Sequence, residues 1–186
     1  EIGTGTTPPT VNQEYYNGGE YLVIAPNDSG KTTGIYSTEK HITKKGLGIS
    51  RILPKHSVCF VCIGSTIGKV GITLVDESAT NQQINAIVSN NEFDPFFITY
   101  LLEYKSEYIA KYTSPSPVPI LSKGKYSEIP IMATFDKDEQ KNIADILSII
   151  DRKIAFHDSK KTVLQDLFNS MLNKLMTDEI RIEDFR

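Results

Sequence analysis

DKDEQKNIADILSIIDRKIAFHDSKKTVLQDLFNSMLNKLM, residues 136–176, contains neither glycine nor proline and forms the longest helical pattern in the chain. Asp136 followed by Glu139 is a capping-box pattern, which satisfies backbone amide donors at a helix start. Large apolar residues then recur in a seven-residue frame, at Ile143, Leu147, Ile150, Ile154, Leu164, Phe168, Met171 and Leu175. At 1.5 Å per residue, roughly 40 residues would give a helix about 60 Å long.

Two polar residues interrupt this apolar stripe at its middle. His157 and Lys161 occupy the two positions of the frame where apolar residues are due. A single helix with an exposed apolar stripe requires a partner helix, and the polar pair would then set the register between the two. Two shorter helices joined by a turn near residues 157–159 are the alternative. We predict the single helix, with the eight apolar residues as its pairing surface.

The preceding part of the chain, residues 1–135, has a different pattern. Short β-like runs alternate there with Gly, Pro, Asn and Ser, which predicts strands at 20–25, 51–53, 58–63, 70–75 and 84–88. One helix is predicted from Phe96 to about Tyr112, after the start signal Asp94-Pro95. We therefore predict an α+β fold: a β-rich globular domain with a few helices over 1–135, followed by a long coiled-coil-type helical region over 136–186.

Composition limits the function classes that need to be considered. The 186 residues are 39% hydrophobic and 23% charged, which excludes a fibrous or wholly disordered chain. The formal charge is −3, from 20 Lys and Arg against 23 Asp and Glu, so any surface for a polyanion must be local. No apolar run approaches the roughly 20 residues of a membrane span, and we expect no membrane partner. Because the chain begins at Glu1, we expect a fragment or a lost start.

Positive charge is concentrated in two stretches. Residues 31–69 hold seven Lys and Arg against one acidic residue, and residues 105–125 hold four Lys against one. Both stretches are flanked by Gly, Ser, Thr and Tyr, as in surfaces that dock on nucleic acid. Lysines on an ordinary solvated face give the same count, so composition leaves both interpretations open.

Cys59 and Cys62 lie in an apolar run that is typical of a buried strand. Residues three apart in a strand point to opposite faces, which disfavours a disulfide, and one cysteine pair cannot form a four-ligand zinc site. We predict two reduced core cysteines. This suggests a cytoplasmic protein, because disulfides are rare in that compartment.

The segment Ala25-Pro-Asn-Asp-Ser-Gly-Lys-Thr32 matches a loose Walker A pattern, which makes a P-loop nucleotide hydrolase an alternative. That mechanism needs a helix to begin at the lysine, whereas a glycine and β-branched residues follow. The three histidines, His41, His56 and His157, have no metal-ligand spacing, and no nucleophile motif is present. We therefore predict no catalytic residue and no metal site.

Two loops offer polar groups without catalytic chemistry. Residues 63–69, IGSTIGK, form a glycine-containing turn between two predicted strands and would present Ser65, Thr66 and Lys69. Asn81, Gln82 and Gln83 precede the strand at 84–88. Side-chain amides can bond adenine in paired fashion, or they can simply hold a loop in place.

Taken in order, several blocks resemble the specificity (S) subunit of type I restriction-modification enzymes. They are GTGTTPP (3–9), YYNGG (15–19), STIGKVG (65–71), ATNQQINA (79–86), YSEIPI (126–131), DEQKNIADIL (138–147) and LFNSMLNKLMTDEIR (167–181). The sequence departs from the family pattern at Tyr16, where tryptophan is frequent, and at Asp178, where glycine is usual. An S subunit resembles two such units in tandem, whereas this chain has one, so it would be a half subunit or part of a longer protein.

The resemblance implies a non-catalytic chain that reads one half of a split double-stranded DNA site. Its helix would pack antiparallel on a second copy or a second half, set the half-site spacing, and help to dock methyltransferase (M) subunits. S-adenosylmethionine, ATP and Mg would belong to the M and restriction (R) subunits, leaving this chain without a cofactor. A stand-alone DNA-binding or interaction module is a further alternative.

We predict the residues that would face DNA from their charge and from their position in loops. Phosphate contacts are expected from Lys44, Lys45, Arg51, Lys69, Lys123 and Lys125. Candidates nearer the bases are Thr6, Thr7, Tyr15, Ser65, Thr66, Asn81, Gln82 and Gln83.

Overall fold

The computed structural model describes residues 1–30, 33–177 and 179–181. Contacts within the chain divide it into two compact units, Glu1–Leu147 and a second that begins at Ser148. The predicted boundary at 135/136 rests on the change of sequence pattern and stays a prediction.

Nine strands and five α-helices are found in the described residues. The strands are β1 Ile2–Thr4, β2 Tyr21–Ile24, β3 Gly34–Ile35, β4 Lys40–Ile42, β5 Leu53–Pro54, β6 Val58–Val61, β7 Val70–Thr73, β8 Glu77–Thr80 and β9 Ile84–Ile87. The helices are α1 Lys44–Gly48, α2 Pro95–Tyr104, α3 Ser106–Ala110, α4 Lys123–Glu128 and α5 Lys137–Met176, with short 3-10 helices at Gln13–Tyr15 and Pro26–Asp28. The predicted fold class, α+β with a long C-terminal helix, is confirmed.

The strands form two mixed sheets. The first has five strands in the order β1-β9-β6-β7-β3, and the second has four in the order β4-β2-β8-β5. Strand β6 is central in the first sheet and pairs antiparallel with both neighbours, so that Cys59 lies opposite Gly71 of β7 and Ala86 of β9. In the second sheet, β2 runs parallel to β8 and antiparallel to β4.

The core lies on both faces of β6. Val58, Phe60 and Cys62 pack into one apolar cluster with residues of α2, α3 and α4 and the loop before α4, namely Leu102, Ile109, Leu121 and Tyr126. Cys59 and Val61 pack into another, with Ile24, Ile35, Leu53, Ile84 and Ala86. The two cysteines are free and buried, and they lie in different clusters, as the alternation of a strand requires.

The structure differs from the sequence prediction in several elements. Four short strands, β1, β3, β4 and β8, were not predicted, and neither were the short helices α1 and α4. These segments have two to six residues, too few for a periodic apolar pattern to show. The single helix predicted from 96 to 112 is wrong, because the backbone breaks at Lys105 and α3 starts at Ser106.

Helix α5 is one continuous helix of 40 residues, so the alternative turn near residues 157–159 is wrong. At its start, Asp136 Oδ1 accepts from the backbone N–H groups of Asp138 (2.9 Å) and Glu139 (3.1 Å). In a capping box, the side chain of Glu139 would also accept from the backbone N–H of Asp136. Here that N–H donates to Thr134 Oγ1 instead. At its end, the N–H groups of Glu179 and Ile180 donate to Lys174 O, while Asp178 lies outside the described residues.

A buried glutamine fixes the first turns of α5 to the rest of its unit. Gln140 is fully buried, and its Oε1 accepts from Asp94 N–H at 2.8 Å. Its Nε2 donates to the carbonyl oxygens of Thr134 (2.9 Å) and Glu92 (3.2 Å). All three partners are backbone groups, so the amide ties α5 to the loop before α2 at one defined position.

No helix in the described part of the chain is long and apolar enough to cross a membrane.

Replacing Gln140 with Leu is expected to lower the free energy of unfolding by about 2 kcal/mol, because the partly buried N–H of Asp94 and carbonyl oxygens of Thr134 and Glu92 lose their partner. Chemical denaturation followed by circular dichroism measures this. Asn142→Leu, the same kind of change at an exposed position of α5, serves as the control and should shift the midpoint little. Equal stability of the two variants would contradict the role given to Gln140.

Both thiols are expected to be unreactive in the folded protein. Burial raises the pKa of Cys59 to about 12 and that of Cys62 to about 11, and the thiolate is the reactive form. A thiol reagent at mildly alkaline pH should label neither cysteine natively and both after denaturation. Because these pKa values are raised by folding, stability should fall as the pH rises above about 8.5. Rapid native labelling would show that the core opens.

Candidate nucleic-acid interface

The turn between β6 and β7 is the first part of the candidate interface. It takes its shape from two glycines with positive φ, Gly64 at 93° and Gly68 at 95°, a region that side chains disfavour. Gly68 N–H donates to Val61 O at 3.1 Å and closes the turn. Ser65 is exposed at its tip, and Thr66 and Lys69 are half-buried. The predicted glycine-containing turn is therefore confirmed, and it joins two antiparallel strands.

Asn81, Gln82 and Gln83 form the short connection from β8 to β9. Asn81 Nδ2 donates to Gln83 Oε1 (3.1 Å), and Gln83 N–H donates to Asn81 Oδ1 (3.0 Å). Gln83 O accepts from Cys62 N–H at 2.7 Å, which ties the loop to the end of β6. Asn81 and Gln83 thus hold the loop in place, whereas Gln82 is exposed. Of the three amides, Gln82 presents its side chain most openly.

The loop after β1 lies at the same end of the sheet. Gly5 N–H donates to Ile84 O (3.1 Å), and Thr6 Oγ1 accepts from the backbone N–H of Arg51 (2.8 Å). Thr7 follows and is half-buried. The Arg51 guanidinium is 3.3 Å from the Glu1 carboxylate, so its charge is partly compensated.

Helix α4 starts beside the β6–β7 turn. Gly64 N–H donates to Pro119 O (3.0 Å), and Leu121 N–H donates to Cys62 O (2.8 Å). Ser122 then caps α4, and Lys123 and Lys125 are exposed on its first turn. Tyr126 stacks on Phe60, with ring centroids 4.9 Å apart, which anchors the helix to the core. The second basic stretch, residues 105–125, therefore reaches the same end of β6 as the β6–β7 turn.

The β6–β7 turn and the β8–β9 connection border an open cleft of about 410 Å³, together with residues 25–28 and 39–40. Its lining includes Ser65, Thr66, Asn81 and Gln83 of the predicted residues, and four that were not predicted: Asn27, Asp28, Glu39 and Lys40. The Asp28 carboxylate accepts from the backbone N–H groups of Ala25 (2.9 Å) and Glu39 (3.4 Å), so it orders two loops. Little in the sequence indicated that these four residues would line a cleft. Glu39 and Lys40 lie in the first basic stretch, and Asn27 and Asp28 lie in the Walker-like segment.

The Walker-like segment has no P-loop geometry in its described part. Pro26–Asp28 is a 3-10 helix, and the chain from Thr33 passes into strand β3 at Gly34. A P-loop would continue into a helix there, whose N-terminus holds the phosphates. Lys31 and Thr32 lie outside the described residues. The nucleotide-hydrolase alternative has no support.

Three predicted residues lie apart from this group. Strand β4 is antiparallel to β2, with Lys40 opposite Val23 and Ile42 opposite Tyr21, so α1, which follows β4, lies at the start of β2. Lys44 and Lys45 of α1, together with Tyr15, are thus a strand length from the cleft, about 13 Å. Lys45 Nζ is 2.8 Å from Glu14 Oε2, and this bond raises the pKa of Lys45.

The chemistry that these residues offer is polar and cationic. Hydroxyl groups, amides and lysines can bond phosphates and base edges. Within the described ranges, no group of His, Cys, Asp and Glu side chains could hold a metal ion. The arrangement at the cleft is therefore suited to binding.

The pairing stripe of α5 is largely accessible beyond the first unit. Ile143 and Leu147, at its start, and Met171 are half-buried. The other five are exposed: Ile150 (48%), Ile154 (53%), Leu164 (54%), Phe168 (59%) and Leu175 (39%).

The sequence model of one protein family, the type I restriction modification DNA specificity domain, matches residues 1–166. The type I restriction enzyme HindI specificity subunit of Haemophilus influenzae is 26% identical over 97% of this chain and 39% of its own length. Among solved structures, the type I restriction-modification S subunit from M. genitalium superposes with a TM-score of 0.67 at 17% identity, covering 95% of this chain and 43% of that one. A chain from a structure of type I R-M complex assembly and conformational transition gives 0.63 at 16% identity, covering 94% and 42%.

A β-rich domain followed by a long C-terminal helix is the architecture that this chain shares with the solved S subunit. The chain belongs to the type I restriction-modification DNA specificity domain family, and the resemblance seen in the sequence is confirmed. The chain spans about two fifths of the length of the relatives that it matches.

Proposed function

We propose that this chain reads one half of a bipartite DNA target for a type I restriction-modification enzyme, without catalysing a reaction itself. The observation that carries the proposal is the convergence of polar loops and lysines at one end of β6, within a member of the DNA specificity domain family. Methyl transfer and ATP-driven cleavage, with S-adenosylmethionine, ATP and Mg, would belong to M and R subunits.

The cleft end of the domain would face the DNA. Lys69, Lys123, Lys125 and Arg51 would lie against phosphates, which supply affinity on any sequence. Exposed Gln82 and Ser65, and half-buried Thr66, would lie nearer the base edges, where the major groove distinguishes all four base pairs. Thr6 and Thr7 border the same end, while Asn81 and Gln83 would act mainly by positioning Gln82.

Lys44, Lys45 and Tyr15 form a second, smaller part of the proposed surface. They would contact the DNA backbone at the far end of β2. Lys45 would have to exchange its ion pair with Glu14 for one with phosphate, so we expect it to contribute less than Lys123 or Lys125.

Replacing Lys123 and Lys125 together with Ala is expected to weaken binding to a random-sequence duplex and to lower the slope of log affinity against log salt by about 2. Fluorescence anisotropy over a salt series measures both. The matched control is Lys137→Ala with Lys141→Ala, two exposed lysines four residues apart at the start of α5, which should leave the slope unchanged. A reduced slope in the control alone would place the DNA at the other end of the domain.

Fluorescence anisotropy over a salt series also tests the two lysines of α1. Replacing Lys44 and Lys45 with Ala should lower affinity on all sequences and reduce the salt slope by about 1 to 2. An unchanged slope would remove these two residues from the proposed surface.

Partner subunits are tested by co-expression of this chain with a type I methyltransferase (M) subunit. We expect the two to co-purify, and genome sequencing of modified bases should show methylation at a split target. Gln82→Ala should alter the methylated sequence in one half-site while leaving co-purification intact. A chain that binds DNA but retains no methyltransferase would instead be a stand-alone DNA-binding module.

A further inference from the structure

The lining of the cleft contains two acidic residues, Asp28 and Glu39, although a surface that meets DNA is typically basic. The Asp28 carboxylate is already used within the protein. It accepts from the backbone N–H groups of Ala25 (2.9 Å) and Glu39 (3.4 Å) and so orders two loops. Glu39 is therefore the carboxylate of the lining that is available to a ligand.

The backbone at Glu39 is held from both sides. Its N–H donates to Asp28 Oδ1, eleven residues away in sequence. Thr38 Oγ1 donates to Lys40 O at 2.7 Å and so bridges the chain around Glu39. Lys40 then begins β4 and lies opposite Val23 of β2. Because a side chain on an ordered backbone loses less conformational freedom on binding, Glu39 can make a geometrically specific contact.

The Glu39 side chain is exposed and borders the cleft. None of the salt bridges among the described residues involves it. A carboxylate in this position repels phosphate and would lower the affinity for every DNA sequence unless it bonds a base. The base edges that line the major groove decide whether such a bond exists.

The four bases differ in what they offer a carboxylate. An ionised carboxylate accepts hydrogen bonds and donates none. In the major groove, cytosine presents its N4 amino group, a donor, whereas guanine presents two acceptors and thymine presents an acceptor and a methyl group. Adenine places the acceptor N7 beside its N6 donor, an arrangement that suits an amide. Cytosine therefore fits Glu39 best, and each of the other three bases brings an acceptor against the carboxylate.

We propose that Glu39 reads a cytosine in the half-site, with its carboxylate accepting a hydrogen bond from the cytosine N4 amino group in the major groove. The inference rests on the proposed function, since Glu39 can contact a base only if the cleft end of the domain faces DNA. It adds the identity of one base and the residue that selects it.

An exposed carboxylate that only keeps the surface hydrated is the competing explanation. Such a residue would act on DNA through its charge alone, and it would then weaken the binding of all duplexes equally. A base contact instead has an effect that is confined to one position of the site. The two explanations thus predict different results when the charge of Glu39 is removed.

Selection of bound duplexes from a random-sequence library, followed by sequencing, compares the wild type with Glu39→Ala and Glu39→Gln. We expect the wild type to prefer cytosine about tenfold at one position of the half-site. Glu39→Ala should lose that preference and keep the rest of the site. Glu39→Gln should change the preferred base at the same position from cytosine to adenine, because a side-chain amide matches the adenine edge.

The matched control is Glu139→Gln, the same change at an exposed position in the first turn of α5, which should leave the selected sequence unchanged. Anisotropy with a random-sequence duplex detects damage to the loop. Glu39→Ala should bind that duplex as tightly as the wild type or up to about threefold more tightly, because a repulsive charge is removed. An unchanged site in Glu39→Ala, or a change at a position that was not cytosine, would overturn the proposal.

Removal of the amino group from the base tests the hydrogen bond itself. A duplex in which 2-pyrimidinone replaces the selected cytosine lacks only the N4 amino group. The wild type should bind it about tenfold more weakly than the cytosine duplex, whereas Glu39→Ala should bind the two duplexes within about twofold of each other. An equal loss in both proteins would show that another group reads the amino group, and the assignment to Glu39 would be wrong.

The two proposals fail in different ways. A wild type that enriches no sequence from the library overturns the half-site function and the reading of cytosine together. A wild type that enriches a half-site which Glu39→Ala leaves unchanged overturns only the role of Glu39, and the half-site function stands.

Discussion

The complete burial of strand β6 is the constraint on which the first unit depends. All four of its residues are buried, and its two faces belong to two different apolar clusters. A backbone placed this deeply must find a partner for each N–H and C=O, including those just past the strand end. Cys62 meets this need by donating to Gln83 O and accepting from Leu121 N–H. Those two bonds bring the β8–β9 connection and the approach to α4 to the same place. The position of the candidate interface therefore follows from the need of the β6 backbone for hydrogen-bond partners.

The other end of the β6–β9 pair, where β6 begins and β9 ends, lies next to the start of α5. The chain leaving β9 reaches Glu92 and Asp94, whose backbone groups bind the buried amide of Gln140 on α5. The start of the long helix and the polar loops are therefore held at opposite ends of the same short strands. The first turns of α5 are thus kept away from the cleft end, and neutral hydrogen bonds, which salt does not weaken, fix them to the domain.

The proposed binding of DNA by an acidic chain depends on how its charge is distributed. The net charge of −3 would repel DNA as a whole, so the proposed binding must depend on where the lysines lie. The fold brings the turn that carries Lys69 and the approach to α4, which carries Lys123 and Lys125, to the same end of β6, whereas Lys44 and Lys45 lie at the far end of β2.

The sequence by itself determined the elements that have a long or repeated pattern. The 40 residues of α5 lacked glycine and proline and carried a heptad stripe, the β6–β7 turn had glycines at both ends, and the alternation of a strand placed Cys59 and Cys62 on opposite faces. The ordered blocks of the family were also visible there. Only the tertiary structure decided which loops meet, because a strand of two or three residues has no period to detect and sequence distance says nothing about sheet order. It showed that Asn81 and Gln83 hold each other while Gln82 is exposed, that Asp28 and Glu39 border the cleft, and that α1 lies away from it. The meeting of the β6–β7 turn, the β8–β9 connection and the approach to α4 depends on the hydrogen bonds of Cys62 with Gln83 and Leu121, which are 21 and 59 residues away, and no local pattern encodes such bonds.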